Sequence, residues 1–278
     1  MRRDVNLKGK IEFVAITDPG RVREHNEDAL GHDVDCGLLV LADGMGGYNA
    51  GEVASGIAVK TTLDMVRAGV RHELRSAPDQ TTGLMRQSIV LRDAILRANK
   101  IIHQTAKSQP KCDGMGTTIV SCLFHDNRVS IAHVGDSRVY RLRGGVLEQL
   151  TQDHSLLQEL VERGLYSREE AERSLSRNYV TRALGVEPTI EVTITEHAVS
   201  PGDLFVLCSD GLPDMVEDDD ILLTIRTFQG DLELVGRQLV QLSNDNGGKD
   251  NVSVLMARVL KPFSANRGLL GKVANLFG

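Results

Sequence analysis

The sequence contains no tryptophan and few other aromatic residues, with four tyrosines and six phenylalanines among 278 residues. It therefore offers no aromatic-rich surface of the kind that often anchors protein interfaces. No apolar run approaches the roughly 18 residues that a membrane-spanning helix needs. Two early arginines have no apolar stretch behind them. We therefore predict neither a signal peptide nor a membrane span.

Cysteine is scarce and widely spaced, and no CxxC pair occurs; the four residues are Cys36, Cys112, Cys122 and Cys208. This spacing argues against a disulfide framework and against a structural zinc site. A reducing compartment fits the pattern, so we predict a cytoplasmic protein.

The charge balance is mildly acidic, with 32 Lys and Arg against 38 Asp and Glu, a net charge of −6. Nucleic-acid backbones are bound through clustered basic side chains, so this balance argues against a nucleic-acid partner. It suits a protein that gathers carboxylates around cations. With 41% apolar and 25% charged residues, the chain has the composition of a globular protein with a large core.

Strand-like and helix-like segments alternate along the chain, without a repeat or a low-complexity linker. Short apolar runs predict strands at residues 10–17, 38–42, 117–124, 128–134, 137–143, 146–150, 191–196, 204–208 and 252–259. Apolar residues at helical spacing predict helices within residues 51–70, 82–107, 213–226 and 230–243. Residues 117–150 contain the turns His-Asp-Asn, Gly-Asp and Gly-Gly, which predict an antiparallel meander. The whole pattern indicates an α+β fold, a β-sandwich covered by helices.

Two segments stand apart from this pattern. Residues 152–187 are polar, charged and helical in part, and they interrupt the strands like an insertion. Residues 261–278 form a C-terminal tail whose apolar residues fall on one face of a short amphipathic helix. At about a dozen residues such a helix is marginal in isolation. Docking on the protein body, disorder, a partner and a membrane surface all remain open for it.

Four aspartates stand at the ends of predicted strands: Asp43, Asp136, Asp210 and Asp250. Three of them have glycine directly beside them. Carboxylates crowded at one rim are costly to desolvate and repel one another unless cations neutralise them. Hard divalent ions with oxygen ligands, Mg²⁺ or Mn²⁺, match such a site.

Each aspartate taken alone has a commoner explanation. Asp43-Gly44 is a turn signal, Asp136 fits a hairpin tip, Asp210 fits a helix N-cap and Asp250 ends a polar loop. The turn hypothesis does not explain why four apolar strands all meet an aspartate. We therefore favour a metal cluster.

A pair of divalent cations can acidify a shared water, which then attacks an electrophile held by the same ions. A phosphoryl group is the expected electrophile, and its charge favours an arginine for bidentate contact. Arg23, in the segment RVREHNED, is the candidate. From composition alone, a solvated loop of mixed charge is the simpler interpretation of that segment.

Eight short motifs occur in one order: TDPGRVREHNEDA, ADGMGG, GMGTT, HVGDSR, TQDHS, VTRALG, SDGL and KDNVSV. In this order they resemble the metal-dependent protein phosphatases of the type 2C family, and most of all its compact bacterial members. The resemblance runs from about residue 11 to residue 259. It implies a catalytic domain over residues 8–260, in which helix pairs flank both faces of a central antiparallel sandwich as four αββα layers. The resemblance also implies a flap insertion at about residues 153–180.

The resemblance also implies the ligands of two core Mn²⁺ or Mg²⁺ ions. Asp43 matches the catalytic aspartate that bridges both ions, and Gly44 matches a carbonyl ligand of one of them. Asp210 and Asp250 match the carboxylates that each hold one ion of the pair.

Further residues match supporting roles in the same family. Glu27 and Asp28 match an acidic pair that supports the metals through bound water. Asp136 matches a ligand of a third, weaker ion, for which Asp210 is shared. Arg23 matches the catalytic arginine that binds the substrate phosphate.

The sequence departs from the family pattern at the proton donor. Some members carry histidine where Met45 stands, and compact bacterial members commonly carry it where Tyr48 stands. A water, His25 or His154 could serve instead, although a lone histidine is more often structural than catalytic. The sequence leaves the general acid open.

Two local patterns suggest other chemistry and fail on inspection. Cys122 to Arg128 satisfies CxxxxxR, the nucleophile loop of cysteine-dependent phosphatases, but contains no glycine to let backbone amides encircle a phosphate. The acidic run from Glu217 to Asp220 is better explained as the first turn of a helix than as metal ligands. No GxxxxGK[ST] motif occurs, which excludes a P-loop nucleotidase.

The resemblance implies a metal-dependent serine/threonine phosphoprotein phosphatase that uses a water activated by two metals and forms no covalent intermediate. Its implied partners are phosphoproteins and an opposing Ser/Thr kinase, and we expect a monomer. Two alternatives stay open: an inactive relative that binds phosphoproteins without turnover, and an enzyme of small phosphate esters.

Overall fold

The computed structural model describes residues 7–47, 50–72, 78–167, 170 and 179–264. Within these ranges eleven strands form two sheets, accompanied by five α-helices. None of the helices described is long and apolar enough to cross a membrane.

Both sheets are antiparallel, and neighbouring strands are often distant in the chain. One sheet has the spatial order β1 (Ile11–Asp18), β11 (Val252–Val259), β10 (Leu204–Cys208), β7 (Arg138–Arg143) and β8 (Val146–Gln149). The other has the order β2 (Asp28–Asp33), β3 (Leu38–Met45), β5 (Ile119–His125), β6 (Arg128–Val134) and β9 (Thr193–Ala198). A short strand, β4 (Gly116–Thr117), pairs with the end of β3.

A pair of helices covers the outer face of each sheet. The long helices α1 (Ala50–His72) and α2 (Arg86–Ser108) pack on the β3 sheet. Two shorter helices, α4 (Asp218–Phe228) and α5 (Leu232–Asp245), pack on the β10 sheet. Between β8 and β9 lies α3 (Leu156–Glu162), in the predicted flap.

The alternation of side chains along the strands explains the layers, because successive residues of a strand point to opposite faces. Along β3, Leu39 and Leu41 enter the core between the sheets, and the residues between and beside them pack under α1 and α2. Along β10, Phe205 and Leu207 enter the same central core, and their neighbours pack under α4 and α5. Both faces of these strands are buried, so the predicted four-layer sandwich flanked by helix pairs is confirmed.

Aromatic rings fill the centre of the sandwich. Phe124 and Phe205, from opposite sheets, meet edge to face with ring centroids 5.3 Å apart. Phe263, beyond β11, also lies against Phe124, and its N–H donates to the Asn127 side chain at 2.6 Å. The chain therefore packs against the core as far as residue 263.

The predicted meander over residues 117–150 is wrong. The hairpins β5–β6 and β7–β8 form as expected, but they belong to different sheets. The turn at Gly135-Asp136 carries the chain from one sheet to the other. Turn residues show that the chain reverses, but not whether the next strand pairs with the last one.

Three local predictions also need correction. The strand β2 was not predicted, because its sequence DALGHD lacks the β-branched and aromatic residues typical of strands. Its pairing with β3 makes it a strand. The strand predicted at residues 117–124 is interrupted at Thr118, and the helix predicted from residue 213 begins only at Asp218.

The acidic run from residue 217 to residue 220 lies at the start of α4, as predicted. Glu217 is the N-cap residue, and Asp218, Asp219 and Asp220 lie in the first turn, where the helix dipole favours negative charge. The predicted tail helix and most of the second half of the flap lie outside the described residues.

Candidate metal centre

The predicted aspartates meet at one end of the sandwich. Both β3 and β6 are antiparallel to β5, so Asp43 near the end of β3 lies at the same edge as Asp136 after β6. In the other sheet β10 and β11 are antiparallel, which brings Asp210 after β10 beside Asp250 before β11. Together with Glu27 and Asp28, these four residues form what we call the acidic rim.

Asp28 joins the two sheets at this rim. It is the cross-strand partner of Asp43, and its Oδ2 accepts a hydrogen bond from the Ser209 Oγ of the opposite sheet at 2.9 Å. Burial raises the pKa of Asp28 to about 6, and the negative charge of Asp250 acts in the same direction. A carboxylate in this position is costly unless positive charge lies nearby.

The two most strongly affected carboxylates are Asp43 and Asp210. Burial raises the pKa of each well above its usual range, and the charges of neighbouring aspartates raise it further. The Oδ1 atoms of Asp28 and Asp210 are buried and accept no hydrogen bond from the residues that the structure describes. Buried oxygens without a donor, crowded by like charges, are the donor set that a hard divalent cation fits. The residues present therefore fit the predicted metal ions.

Asp136 is 7% exposed, and burial together with the charge of Asp153 raises its pKa to about 6. Asp136 and Asp210 line the same cavity, of about 330 Å³, which could hold the predicted third ion. Asp214 also lines it, and its charge raises the pKa of both aspartates. Asp214 was not predicted as a site residue, although its position four residues after Asp210 in SDGLPD was a usable signal.

Backbone and hydroxyl contacts fix Asp43 from both sides. The Asp43 carbonyl accepts from the Thr118 N–H and from the Thr117 Oγ1, each at 2.8 Å. The Asp43 N–H donates to the Thr118 Oγ1 at 3.1 Å, and that hydroxyl also bonds the Ser137 Oγ at 2.8 Å. Thr118, the residue between β4 and β5, thus connects Asp43 to the segment that carries Asp136. The motif GMGTT contained this residue without indicating its role.

Glu27 lies where α1 begins, and Gly51 permits its approach. A Cβ on Gly51 would lie 2.7 Å from the Glu27 carboxyl carbon, and the Gly51 backbone hydrogen-bonds that carboxylate. Burial nevertheless raises the pKa of Glu27. Gly44, whose carbonyl is a predicted ligand, donates its N–H to the Glu27 carbonyl at 3.2 Å. A Cβ on Gly44 would lie 2.2 Å from the Gly51 oxygen, so only glycine fits there.

Among the residues with described positions, no three His, Cys, Asp or Glu side chains already lie close enough together to hold a metal ion.

Arg23 lies directly over the rim. Its Nη2 donates to the Asp250 Oδ2 at 2.7 Å, and 54% of its side chain is exposed. The bond to Asp250 raises the pKa of the guanidinium further. The structure thus brings the predicted phosphate-binding residue to the predicted metal ligands.

His154, one candidate general acid, has a structural role. Its Nδ1 accepts from the Gly135 N–H at 3.1 Å, so its Nε2 carries the proton and donates to the Thr193 Oγ1 at 3.1 Å. The ring stacks on His133 at 4.7 Å, and burial lowers the pKa of His154 to about 4. A neutral ring with both nitrogens bonded is not available to protonate a leaving group.

His25, the other candidate histidine, is exposed. Its backbone carbonyl accepts a hydrogen bond from the Asn251 side chain. Met45 is half-buried, and Tyr48 lies outside the described residues.

The CxxxxxR pattern from Cys122 to Arg128 is not a phosphatase nucleophile loop, as expected from the sequence. Cys122 is fully buried in β5, and burial raises the pKa of its thiol. Asp126 and Asn127 form a tight hairpin turn with positive φ between it and Arg128. This geometry offers neither a thiolate nor a phosphate-binding loop.

Comparison with known proteins gives a consistent result. The family model for protein phosphatase 2C matches residues 21–253. The serine/threonine phosphatase Stp of Listeria monocytogenes is 39% identical over 249 residues, 86% of this chain and 92% of that protein. The crystal structure of the Mycobacterium tuberculosis serine/threonine phosphatase PstP/Ppp matches with a TM-score of 0.79 at 35% identity, covering 90% of this chain and 99% of that one. The catalytic domain of PstP in complex with two manganese ions matches with a TM-score of 0.75 at 35% identity, covering 90% and 99%.

Proposed function

The chain belongs to the protein phosphatase 2C family and by that membership is a serine/threonine phosphatase; we propose that it hydrolyses phosphoserine and phosphothreonine in proteins with two metal ions held at the acidic rim. The observation that carries the proposal is the set of buried and half-buried carboxylates that both sheets bring to one edge. Two of their oxygens, on Asp28 and Asp210, have no donor within the described part of the chain. A related catalytic domain has been solved in complex with two manganese ions.

The chain's own residues divide the work of holding the ions. Asp43 would bridge both, with the Gly44 carbonyl as a further ligand, and Asp210 and Asp250 would each hold one. Glu27 and Asp28 would support the pair through water. A third, weaker ion would lie between Asp136 and Asp210, which line one cavity.

Two Mn²⁺ or Mg²⁺ ions held by these residues would supply the acidity that activates a water for direct attack on phosphorus, and no covalent enzyme intermediate would form. Arg23 contributes the positive charge that binds and orients the phosphoryl oxygens. In the structure this guanidinium neutralises Asp250. A cation at Asp250 would take over that neutralisation and leave Arg23 free for the phosphate.

Several finer points belong to the same proposal. We assign residues 8–260 to the catalytic domain and place the protein in the cytoplasm as a monomer. Its substrates would be phosphoproteins, and it would reverse the action of a Ser/Thr kinase.

The test is hydrolysis of a phosphothreonine peptide with Mn²⁺, with and without chelator, by the native chain, Asp43→Asn and Asp250→Asn. A matched control is Asp93→Asn, since Asp93 is an exposed carboxylate paired with Arg92 far from the rim in sequence. Metal-dependent turnover that collapses in the two rim variants and persists in the control supports the proposal.

Other outcomes separate the two alternatives. Metal-dependent hydrolysis of an aryl phosphate without hydrolysis of the phosphopeptide indicates an enzyme of small phosphate esters. Folded, metal-loaded protein that hydrolyses neither indicates an inactive relative.

A further inference from the structure

The segment that carries Arg23 has no regular structure of its own. Residues 19–27 connect β1 to β2 without forming a helix or a strand, and the Arg23 side chain is more than half exposed. A loop without internal secondary structure needs tertiary contacts to present one side chain in one place. Its hydrogen bonds show where those contacts come from.

One buried side chain, that of Asn251, bonds both ends of this loop. Its Nδ2 donates to the Pro19 carbonyl at 3.0 Å and to the His25 carbonyl at 2.9 Å. Its Oδ1 accepts from the Glu27 N–H at 2.8 Å. Asn251 is 5% exposed, so these bonds are shielded from water. Both amide donors and one acceptor site are thus used to bring the start and the end of the loop together.

Asn251 also holds the metal-ligand carboxylate next to it. Its backbone N–H donates to the Asp250 Oδ1 at 2.8 Å, and Arg23 bonds the other oxygen of that carboxylate. One residue, Asn251, therefore contacts both the loop that carries Arg23 and the Asp250 carboxylate.

The loop has other contacts in both halves. In its second half, the Asn26 Nδ2 donates to the Thr17 Oγ1 at 2.8 Å, and the Glu27 carbonyl accepts from the Ser55 Oγ at 2.6 Å and from the Gly44 N–H at 3.2 Å. In its first half, the loop contacts residues 248 and 250. The Arg21 N–H donates to the Gly248 carbonyl at 2.7 Å. Gly20, at a φ of +82°, packs so closely that a Cβ would lie 2.3 Å from the backbone carbonyl oxygen of Asp250. The Asn251 side chain thus joins the two halves of the loop, because it bonds Pro19 at the start as well as His25 and Glu27 at the end.

We propose that Asn251 is a positioning residue that sets Arg23 over the metal centre and so determines how tightly the enzyme binds the phosphoryl group. The inference rests on the proposed function only in taking Arg23 as the phosphate ligand. It is therefore tested with p-nitrophenyl phosphate and inorganic phosphate, for which no protein substrate is needed.

The experiment compares the Mn²⁺-loaded full chain with Asn251→Ala, Arg23→Ala and the double variant. Asn251→Ala is expected to raise KM for p-nitrophenyl phosphate and the inhibition constant of inorganic phosphate about tenfold, with a smaller change in kcat. The double variant should bind phosphate no more weakly than Arg23→Ala, because Asn251 acts through that arginine. Calorimetric Mn²⁺ affinity should stay within about threefold.

Asn99→Ala is the matched control. Asn99 is also a buried amide that bonds a loop, at the Glu187 carbonyl and the Gly185 N–H, but that loop does not carry Arg23. It should lower thermal stability without changing the inhibition constant of phosphate. Asn251→Ser replaces Asn251→Ala if the alanine variant does not fold.

Three results of the phosphate-binding measurements overturn the inference: an unchanged inhibition constant in Asn251→Ala, an equal rise in Asn99→Ala, or independent, multiplicative effects of Asn251 and Arg23. Loss of Mn²⁺ affinity in Asn251→Ala also overturns it, since the residue would then act on the metals. Failure of the proposed function would appear differently, as hydrolysis of the aryl phosphate without hydrolysis of the phosphothreonine peptide.

Discussion

Asp28 and Asp43 are register partners on adjacent strands, so two half-buried carboxylates face each other across the β2–β3 ladder. Like charges directly opposite in a sheet are destabilising. Burial and the Asp28 charge together raise the pKa of Asp43 well above its usual range. The repulsion between these carboxylates should therefore destabilise the folded protein unless cations are bound at the rim.

Asp43→Asn is expected to stabilise the metal-free protein while abolishing activity. The substitution removes one half-buried charge and its repulsion with Asp28, which should raise the free energy of unfolding by about 0.5–2 kcal/mol in chelator. Mn²⁺-dependent hydrolysis should fall at least a hundredfold, because the bridging ligand is lost. Thermal unfolding in chelator and a phosphatase assay measure the two effects. A variant less stable than the native chain in chelator would contradict the repulsion argument.

Mn²⁺ should stabilise the native chain through the same rim. A ligand that binds only the folded state adds about 2.7 kcal/mol at a hundred times its dissociation constant. Thermal unfolding across a Mn²⁺ titration should therefore show a rising midpoint in the native chain and in Asp93→Asn. The rise should be much smaller in Asp43→Asn. An equal rise in all three proteins would place the bound metal outside the rim.

Glu196 should stabilise α2 from outside the helix. Met85, the N-cap residue, makes no side-chain capping bond, but its N–H donates to the Glu196 Oε1 at 2.7 Å. Ser88 donates to the same oxygen. Glu196→Ala is expected to cost about 1–2 kcal/mol in denaturant unfolding, the typical cost of a lost cap. Glu196→Gln keeps an acceptor oxygen and should cost less than half of that; equal losses would show that charge, and not capping, is responsible.

His125 should make stability depend on pH below neutrality. Burial lowers the pKa of His125 from 6.5 to about 4. The charges of Glu196 and Asp126 oppose that shift, and the charge of Arg128 adds to it. The folded state then binds the proton less readily than the unfolded chain. The stabilisation is therefore complete above about pH 6.5 and lost as the pH falls toward 4, by up to about 3 kcal/mol.

The measurement is the free energy of unfolding of the native chain and of His125→Gln, in chelator, between pH 7 and pH 4. The glutamine can keep the hydrogen bond that His125 Nε2 makes with the Ser130 hydroxyl. It does not titrate, so the variant should lose less stability than the native chain over this range. Parallel curves would show that His125 does not contribute.

Much of the fold was predictable because it depends on local pattern. Strands such as β6, β10 and β11 were predicted with the residues they have, since continuous apolar runs bounded by turn residues are typical of buried strands. The strand β2 was not predictable in this way. Its polar sequence becomes a strand only because β3 offers hydrogen bonds along one edge.

The same distinction between local pattern and tertiary contact applies to the candidate site. The sequence by itself determined which carboxylates stand at strand ends and, through eight ordered motifs, the family, because both are properties of residue type and order. Only the tertiary structure brought Asp28 opposite Asp43, carried the chain between sheets at Asp136 and made Asn251 the support of the Arg23 loop. Those relationships join residues far apart in the chain, and their energies come from burial and from hydrogen bonds that exist only once the two sheets have packed.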